Sequence, residues 1–349
     1  MIRLILFSLA FHSCFAFGLS LNEAFCTALD QEAVIAAQVE VTEAEQSLAR
    51  IESDPLGLKL DRLRAEHRLK LANAELTRTL NEAHRQIAAA YTKVLNTQTQ
   101  QNVARTKLAL NERLLVGTEI RMENGSASYY DHRVALTAIE ETKTNLRVAD
   151  GEISTALSAL QELVNKPVEA AALEPIQLDA SVVPPTFENA FNASGAHPDL
   201  LKAYHDMNFA QLSFESLNPI YASRAEIDSA EAVFEQAKAT QQAAVQDFHI
   251  QTLELVNATT NAQEAYLLAQ IAQTAARERL DFQQTRMDAG LLSEVEFLQA
   301  ALEAEEADLN LQTARLDYFN ALLALRAGTM VDLGEVGSPL VTMTTCTEG

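Results

Sequence analysis

The stretch Arg121-Met122-Glu123-Asn124-Gly125-Ser126-Ala127-Ser128 returns 165 positions later as Arg286-Met287-Asp288-Ala289-Gly290-Leu291-Leu292-Ser293. Each version closes a helical run, turns on a glycine and offers a serine three residues further on. The match continues past the turn. Ala135 falls on Ala300, Glu140-Glu141 on Glu305-Glu306, Asn145-Leu146 on Asn310-Leu311 and Ala149 on Ala314. It ends with Ala156-Leu157 on Ala321-Leu322 and Ala159-Leu160 on Ala324-Leu325, giving 14 identities over residues 121–160 without a gap. Shared richness in Ala, Leu and Glu would give only a few. Two glycine turns and an Asn-Leu pair in register point to an internal duplication, which has to be recognised before the fold can be read.

Working outward, the spacing predicts a very long helix before each turn, at 59–122 and 222–287. At 1.5 Å per residue each spans roughly 95 Å. Leu69, Leu76, Leu80, Ala83, Ile87, Ala90, Val94, Ala104, Leu108 and Leu115 keep 3/4 spacings or their sums. Phe234, Phe248, Leu255, Ala262, Ala269 and Ala276 step in sevens or multiples of seven. This is a coiled-coil seam, and Asn73, Thr97, Gln101, Asn111 and Gln241 make it close-packed but not greasy. Such a hairpin has little core of its own, so oligomeric partners are expected to stabilise it. After each turn, Ser128 or Ser293 is placed to cap a returning helix, with Asp131 or Glu294 and Glu296 in its first turn. The return helices are expected to reach about Leu163 and Arg326. Before each long helix the chain breaks at 53–57 and 217–219, both containing proline. A first helix precedes each break, at 21–50 and 187–216.

The organisation that follows is a signal segment at 1–18, a first helical repeat at 19–165, a linker at 166–186, a second repeat at 187–328 and a loose tail at 329–349. The fold class is all-α: two tandem long helical hairpins with coiled-coil packing. Arg3, the apolar run from Leu4 to Phe11 and the small residues Cys14, Ala16 and Gly18 read as an export signal, cut after Ala16 or Gly18. Lipidation at Cys14 is the alternative, though Phe11, His12 and Ser13 make a poor lipidation box. Cys26 and Cys346 then remain, one near each end. In an oxidising periplasm they can close a disulfide; the alternative is two free thiols.

Scarce glycine (11), proline (8) and aromatics (6%) fit long helices better than an α/β enzyme. A net charge of −22 without a basic patch argues against nucleic acid and anionic lipid. No helical run approaches the ~18–20 apolar residues of a membrane span. There is no phosphate loop, no GxSxG, no HExxH and no CxxC, so the sequence offers no enzyme, cofactor or metal centre. The seven histidines are scattered; His84 and His249 sit one repeat apart and reflect duplication before metal binding. Acids along 301–308 read as a solvated helix face, and Tyr129 and Tyr130 as packing at the turn.

Several motifs resemble one family in order. Leu19-Ser20-Leu21-Asn22-Glu23-Ala24 with Ala28-Leu29 resembles the opening of TolC-type outer-membrane efflux and secretion channels. Phe187-Glu188-Asn189-Ala190 and His197-Pro198-Asp199-Leu200-Leu201 are similar to the opening of that family's second half. The Gly125/Ser128 and Gly290/Ser293 turns resemble its periplasmic tip turns. Ala314-Arg315-Leu316-Asp317-Tyr318 with Ala321-Leu322 and Leu325 is similar to its close. The likeness covers nearly all of 19–330. It implies a homotrimer whose chains build a twelve-stranded helical tunnel, with an adaptor and an inner-membrane pump at the tips. By position it implies adaptor contact at Gly125, Ser128, Gly290 and Ser293, and an acidic entrance at Asp131, Glu294 and Glu296. Plain helix capping and turn geometry is the competing reading of all seven. One departure matters: the family inserts a β-hairpin at each break, and these hairpins close a membrane barrel. A barrel strand needs ~9–11 residues, and neither break here holds two. The expectation is therefore a barrel-less, exported tunnel component, periplasmic and associated only indirectly with the outer membrane. A transport-inactive envelope spacer is the alternative.

Overall fold

The structure, a computed structural model, describes residues 19–54, 58–178, 183–218, 220–331 and 333, with Ser194 described by its backbone only. The expected signal segment, Cys14, the centre of the first break, Pro219 and the tail from Gly334 with Cys346 lie outside the described residues; Thr329, Val331 and Leu333, at the start of the expected tail, are buried. Among the described residues there are eight α-helices. They are α1 (Leu21–Cys26), α2 (Glu32–Ser53), α3 (Lys59–Glu123), α4 (Tyr129–Val164), α5 (Phe187–Ala193), α6 (Pro198–Glu215), α7 (Arg224–Asp288) and α8 (Glu294–Thr329).

The boundaries of α3 and α4 recur in α7 and α8 at the same offset of 165 that relates the sequence identities. The long helices have 65 residues each and the return helices 36 each. Even the left-handed residues that end the return helices, Asn165 and Met330, keep this offset. Ser223 opens α7 with a capping box closed by Glu226. Leu58, extended at ψ 139, precedes α3 without a side-chain cap.

The first helix of each half is not continuous, contrary to the expectation of single helices at 21–50 and 187–216. In the second half Pro198 takes the first helical position, and His197 before it is extended, as a residue preceding proline is steered to be. In the first half no proline acts. A 3-10 turn over Thr27–Asp30 follows α1, and Gln31 is extended before α2. Ala24, Phe25 and Ala28 are buried there, so packing of the short α1 against α3 outweighs helix continuity.

α3 packs along α4, and α7 along α8, as two antiparallel hairpins; α3 against α8 joins them. α2 lies on the early part of α3, where Arg68 meets Glu40 and Glu43, and α6 covers α7 in the same way. The end where α3 and α7 begin is called upper here, and the end with the glycine turns lower. The hydrophobic core sits between, as a waist. Ile87, Tyr91 and Val94 of α3 meet Leu160 of α4 and Phe319, Leu322 and Leu325 of α8, all fully buried. Burying each such aliphatic side chain is worth ~1.5–3 kcal/mol. Tyr91 also ties the chain start and the linker to the waist. Its hydroxyl, with one proton to donate, lies 2.8 Å from the carbonyls of both Leu19 and Glu174. Leu19 and Leu173 form an isolated parallel bridge, and no strand is present among the described residues.

The seam between the hairpins is polar. Gln312 donates to the Leu95 carbonyl (2.9 Å), Thr313 to Asn96 (2.9 Å) and Asn320 to Thr92 (3.1 Å). Lower down, Arg113 pairs with Glu294 at 3.2 Å. Glu294 stands at the start of α8, next to its own turn, whereas Arg113 stands ten residues before the end of α3. The second turn is therefore set back from the first by on the order of 10 Å along the axis.

Candidate functional site at the glycine turns

Both turns are built the same way. Gly125 and Gly290 each adopt φ +69, which glycine reaches without a Cβ penalty. The Ser126 N–H donates to the Arg121 carbonyl (2.8 Å) and the Gly125 N–H to that of Met122 (3.0 Å). In the second turn Leu291 donates to Arg286 (2.9 Å) and Gly290 to Met287 (2.9 Å). These are Schellman closures, which satisfy carbonyls that a helix end would otherwise leave open.

The returning helices start with complete capping boxes. The Ser128 hydroxyl accepts from the Asp131 N–H, and the Asp131 carboxylate accepts from the Ser128 N–H at 2.8 Å. Ser293 and Glu296 repeat this, the return bond being 2.9 Å. Hydrogen bonds from the serine backbone, then from its hydroxyl, hold both carboxyls below their ordinary range. Asp131 and Glu296 are thus fixed in orientation and ionised. Glu294 plays a different part, reaching across to Arg113 of the other hairpin. Within one chain Asp131 stands at the first turn and Glu294 and Glu296 at the second.

Tyr129 and Tyr130, read from sequence as packing at the turn, are instead 70% and 74% exposed. No other element among the described residues covers them. The acids at 301–308 also differ from a purely solvated face. Asp308 bonds Gln273 and Arg277 of α7, and Glu303 pairs with Arg279. These lock α8 to α7.

Among the described residues no group of three or more His, Cys, Asp or Glu could hold a metal. His84 packs beneath Phe25 at 4.8 Å and His249 beneath Phe187 at 4.7 Å, so both serve packing of the short opening helices. Cys26 is disulfide-bonded, while Cys346, its expected partner, lies outside the described residues. Sequence reasoning left His67 and His205 unconnected. The structure stacks their rings, which come from α3 and α6, 3.6 Å apart. Nothing in their spacing of 138 residues announces it.

Two long hairpins, capped by matched glycine turns and joined side by side through a polar seam, have the fold of the helical tunnel of TolC-type outer-membrane channels. The chain is similar to the solved structure of CusC, a study of transmembrane channel formation, at a TM-score of 0.63 and 14% identity, covering 90% of this chain and 96% of that one. It is similar to the outer membrane protein VceC from Vibrio cholerae at 0.58 and 16%, with the same coverages. Against the Campylobacter jejuni CmeC outer membrane channel the values are 0.59 and 11%, over 93% and 90%. No family model and no curated protein sequence matches the chain. Identities this low carry the fold and not the activity.

The connections that precede the two long helices are short. Residues 54–58 separate α2 from α3, and 216–223 separate α6 from α7. A hairpin crossing a bilayer takes two strands of ~9–11 residues and a turn. Neither connection is long enough. No described helix is long and apolar enough to cross a membrane either.

Proposed function

We propose that this chain is a protomer of a TolC-like helical tunnel in the cell envelope. It acts as a passive conduit in an efflux or type I secretion assembly, and a partner pump supplies the energy. The observation that carries this reading is a likeness to outer-membrane channels over about nine-tenths of the chain, combined with connections too short for a membrane barrel. The protein is then exported to the periplasm and meets the outer membrane indirectly. The signal segment, the two repeats and a Cys26–Cys346 disulfide belong to the same reading. Gly125, Ser128, Gly290 and Ser293 would present the turns to an adaptor, with Asp131, Glu294 and Glu296 at the entrance.

The uncovered surface of α7 supports assembly. Ile250, Leu253, Leu267, Ile271 and Phe282 are all exposed, and most follow one another at helical 3/4 spacings or their sums. An apolar stripe of this kind is expected to be covered by another helix, and further copies of the chain, closing a homotrimer, would supply one.

The test is the mass and shape of the mature protein in detergent-free buffer, by light scattering with small-angle X-ray scattering. A hollow, elongated trimer supports the conduit. A monomer or a solid particle overturns it and leaves an envelope spacer. A protein insoluble without detergent would overturn the barrel-less reading.

A further inference from the structure

We propose that His67 and His205 form a proton-sensitive latch, which holds the upper ends of the two hairpins together and releases them on acidification. The inference rests on the seam between α3 and α6 and stands apart from the conduit reading. The two imidazoles lie 3.6 Å apart, centroid to centroid, with their planes 4° from parallel. Phe209 of α6 closes the stack edge-on at 5.2 Å from His67, and the Arg64 guanidinium sits 5.6 Å from the Phe209 ring. His205 is buried, and the Nδ1 atom of His67 is buried without a hydrogen-bond partner. Face-to-face contact of this kind favours two neutral rings.

The surrounding charges offer the protonated form little help. Neither ring has a carboxylate in ion-pair range among the described residues. Those closest in effect are Glu66 on α3 and Asp206 on α6, opposed by Lys70 on α3. Glu66 is already paired with Arg62. α2, on the other side of α3, contributes Glu40 and Glu43, which meet Arg68. The charges that act on the rings come from α3 and α6, none from α7. Burial, then Lys70 for His67 and the facing ring for His205, keep both below the ordinary histidine value. The rings therefore titrate as a coupled pair: a proton on one opposes a proton on the other. Once acid drives protons onto both, two like charges face each other across a stack that has no counter-ion.

α3 touches α6 over a short stretch, whereas its seam with α8 runs from Asn81, which meets Met330 at the end of α8, down to Arg113. Breaking the stack therefore frees the upper ends while the waist stays closed. The predicted motion is a splaying of α6 from α3 above a fixed core.

Spin labels on Asn73→Cys in α3 and Lys202→Cys in α6, both exposed positions, report this separation by pulsed electron paramagnetic resonance. At about pH 7.5 a narrow distance distribution is expected, and at about pH 5 a longer and broader one. The doubly substituted H67Q/H205Q protein should keep the narrow distribution at both pH values. A wild-type distribution unchanged at about pH 5 would overturn the latch, as would the same lengthening in the double variant. Should that variant not fold, histidine-selective NMR of the wild-type protein and of H67Q decides. In H67Q the His205 titration should move up towards the ordinary value, since the facing charge is gone; a His205 midpoint unaffected by the loss of His67 is the contrary result.

Discussion

At the scale of single residues, the glycines of the two turns do one job that their sequence position announces. Both adopt φ +69, and an added Cβ would meet nothing within 4 Å. The cost of Gly125→Ala or Gly290→Ala is therefore torsional alone, about 1–2 kcal/mol each. Urea unfolding should show it at both positions, with nearly additive loss in the double variant. His84 is less transparent. It is 3% exposed, and burial, followed by the Arg326 charge, pushes its pKa from 6.5 down to about 4 against a hydrogen bond with the Phe25 backbone. The unfolded chain thus takes up the proton at higher pH than the folded one. The stability this neutral ring allows is fully present above pH 6.5 and is lost as the pH falls towards 4. The loss approaches about 3 kcal/mol. Replacing it, as His84→Leu, should flatten that part of the stability–pH curve. The sequence placed His84 one repeat from His249. It could not show that Phe25, 59 residues earlier, would close over the ring.

At the scale of elements, the long helices and their turns were legible because their signals are local: seven-residue spacing, Arg-Met before glycine, serine before an acid. Ser128→Ala or Ser293→Ala removes a cap from a returning helix, and each should cost about 1 kcal/mol. The measurement is the denaturation midpoint together with hydrogen exchange in the first turn of α4 or α8. Local signals failed where distant packing decides. No residue near Gln31 breaks a helix as proline does, yet burial of Phe25 and Ala28 against α3 interrupts the chain there. The acids of α8 looked solvated because their partners, Gln273, Arg277 and Arg279, lie on another helix. Tyr91 is a further case. Tyr91→Phe should cost about 1–2 kcal/mol, since two carbonyls lose the hydroxyl they share. It should also speed backbone exchange at Leu19 and Leu173 before it affects the lower turns.

At the scale of the whole molecule, burial is concentrated at the waist while both ends are thinly covered. Hydrogen exchange should accordingly be slowest around Ile87 to Val94 and in the last turns of α8, and faster towards the glycine turns and the upper connections. The apolar stripe on α7 gives a matching prediction for assembly. Leu267→Glu with Ile271→Glu should lower the mass seen by light scattering while leaving the far-ultraviolet helical signal intact, because both side chains already face outward. The matched lengths of the two hairpins were readable at this scale; the axial slip between them was not, since it is set by contacts such as Arg113 with Glu294. That slip has its own consequence. Copies arranged in a circle would end below not in a level lip but in a crown of alternating long and short points. The long points carry Tyr129 and Tyr130, so an approaching partner would touch those aromatic crests first. It would reach the shorter points, with Glu294 and Glu296, only after seating between them.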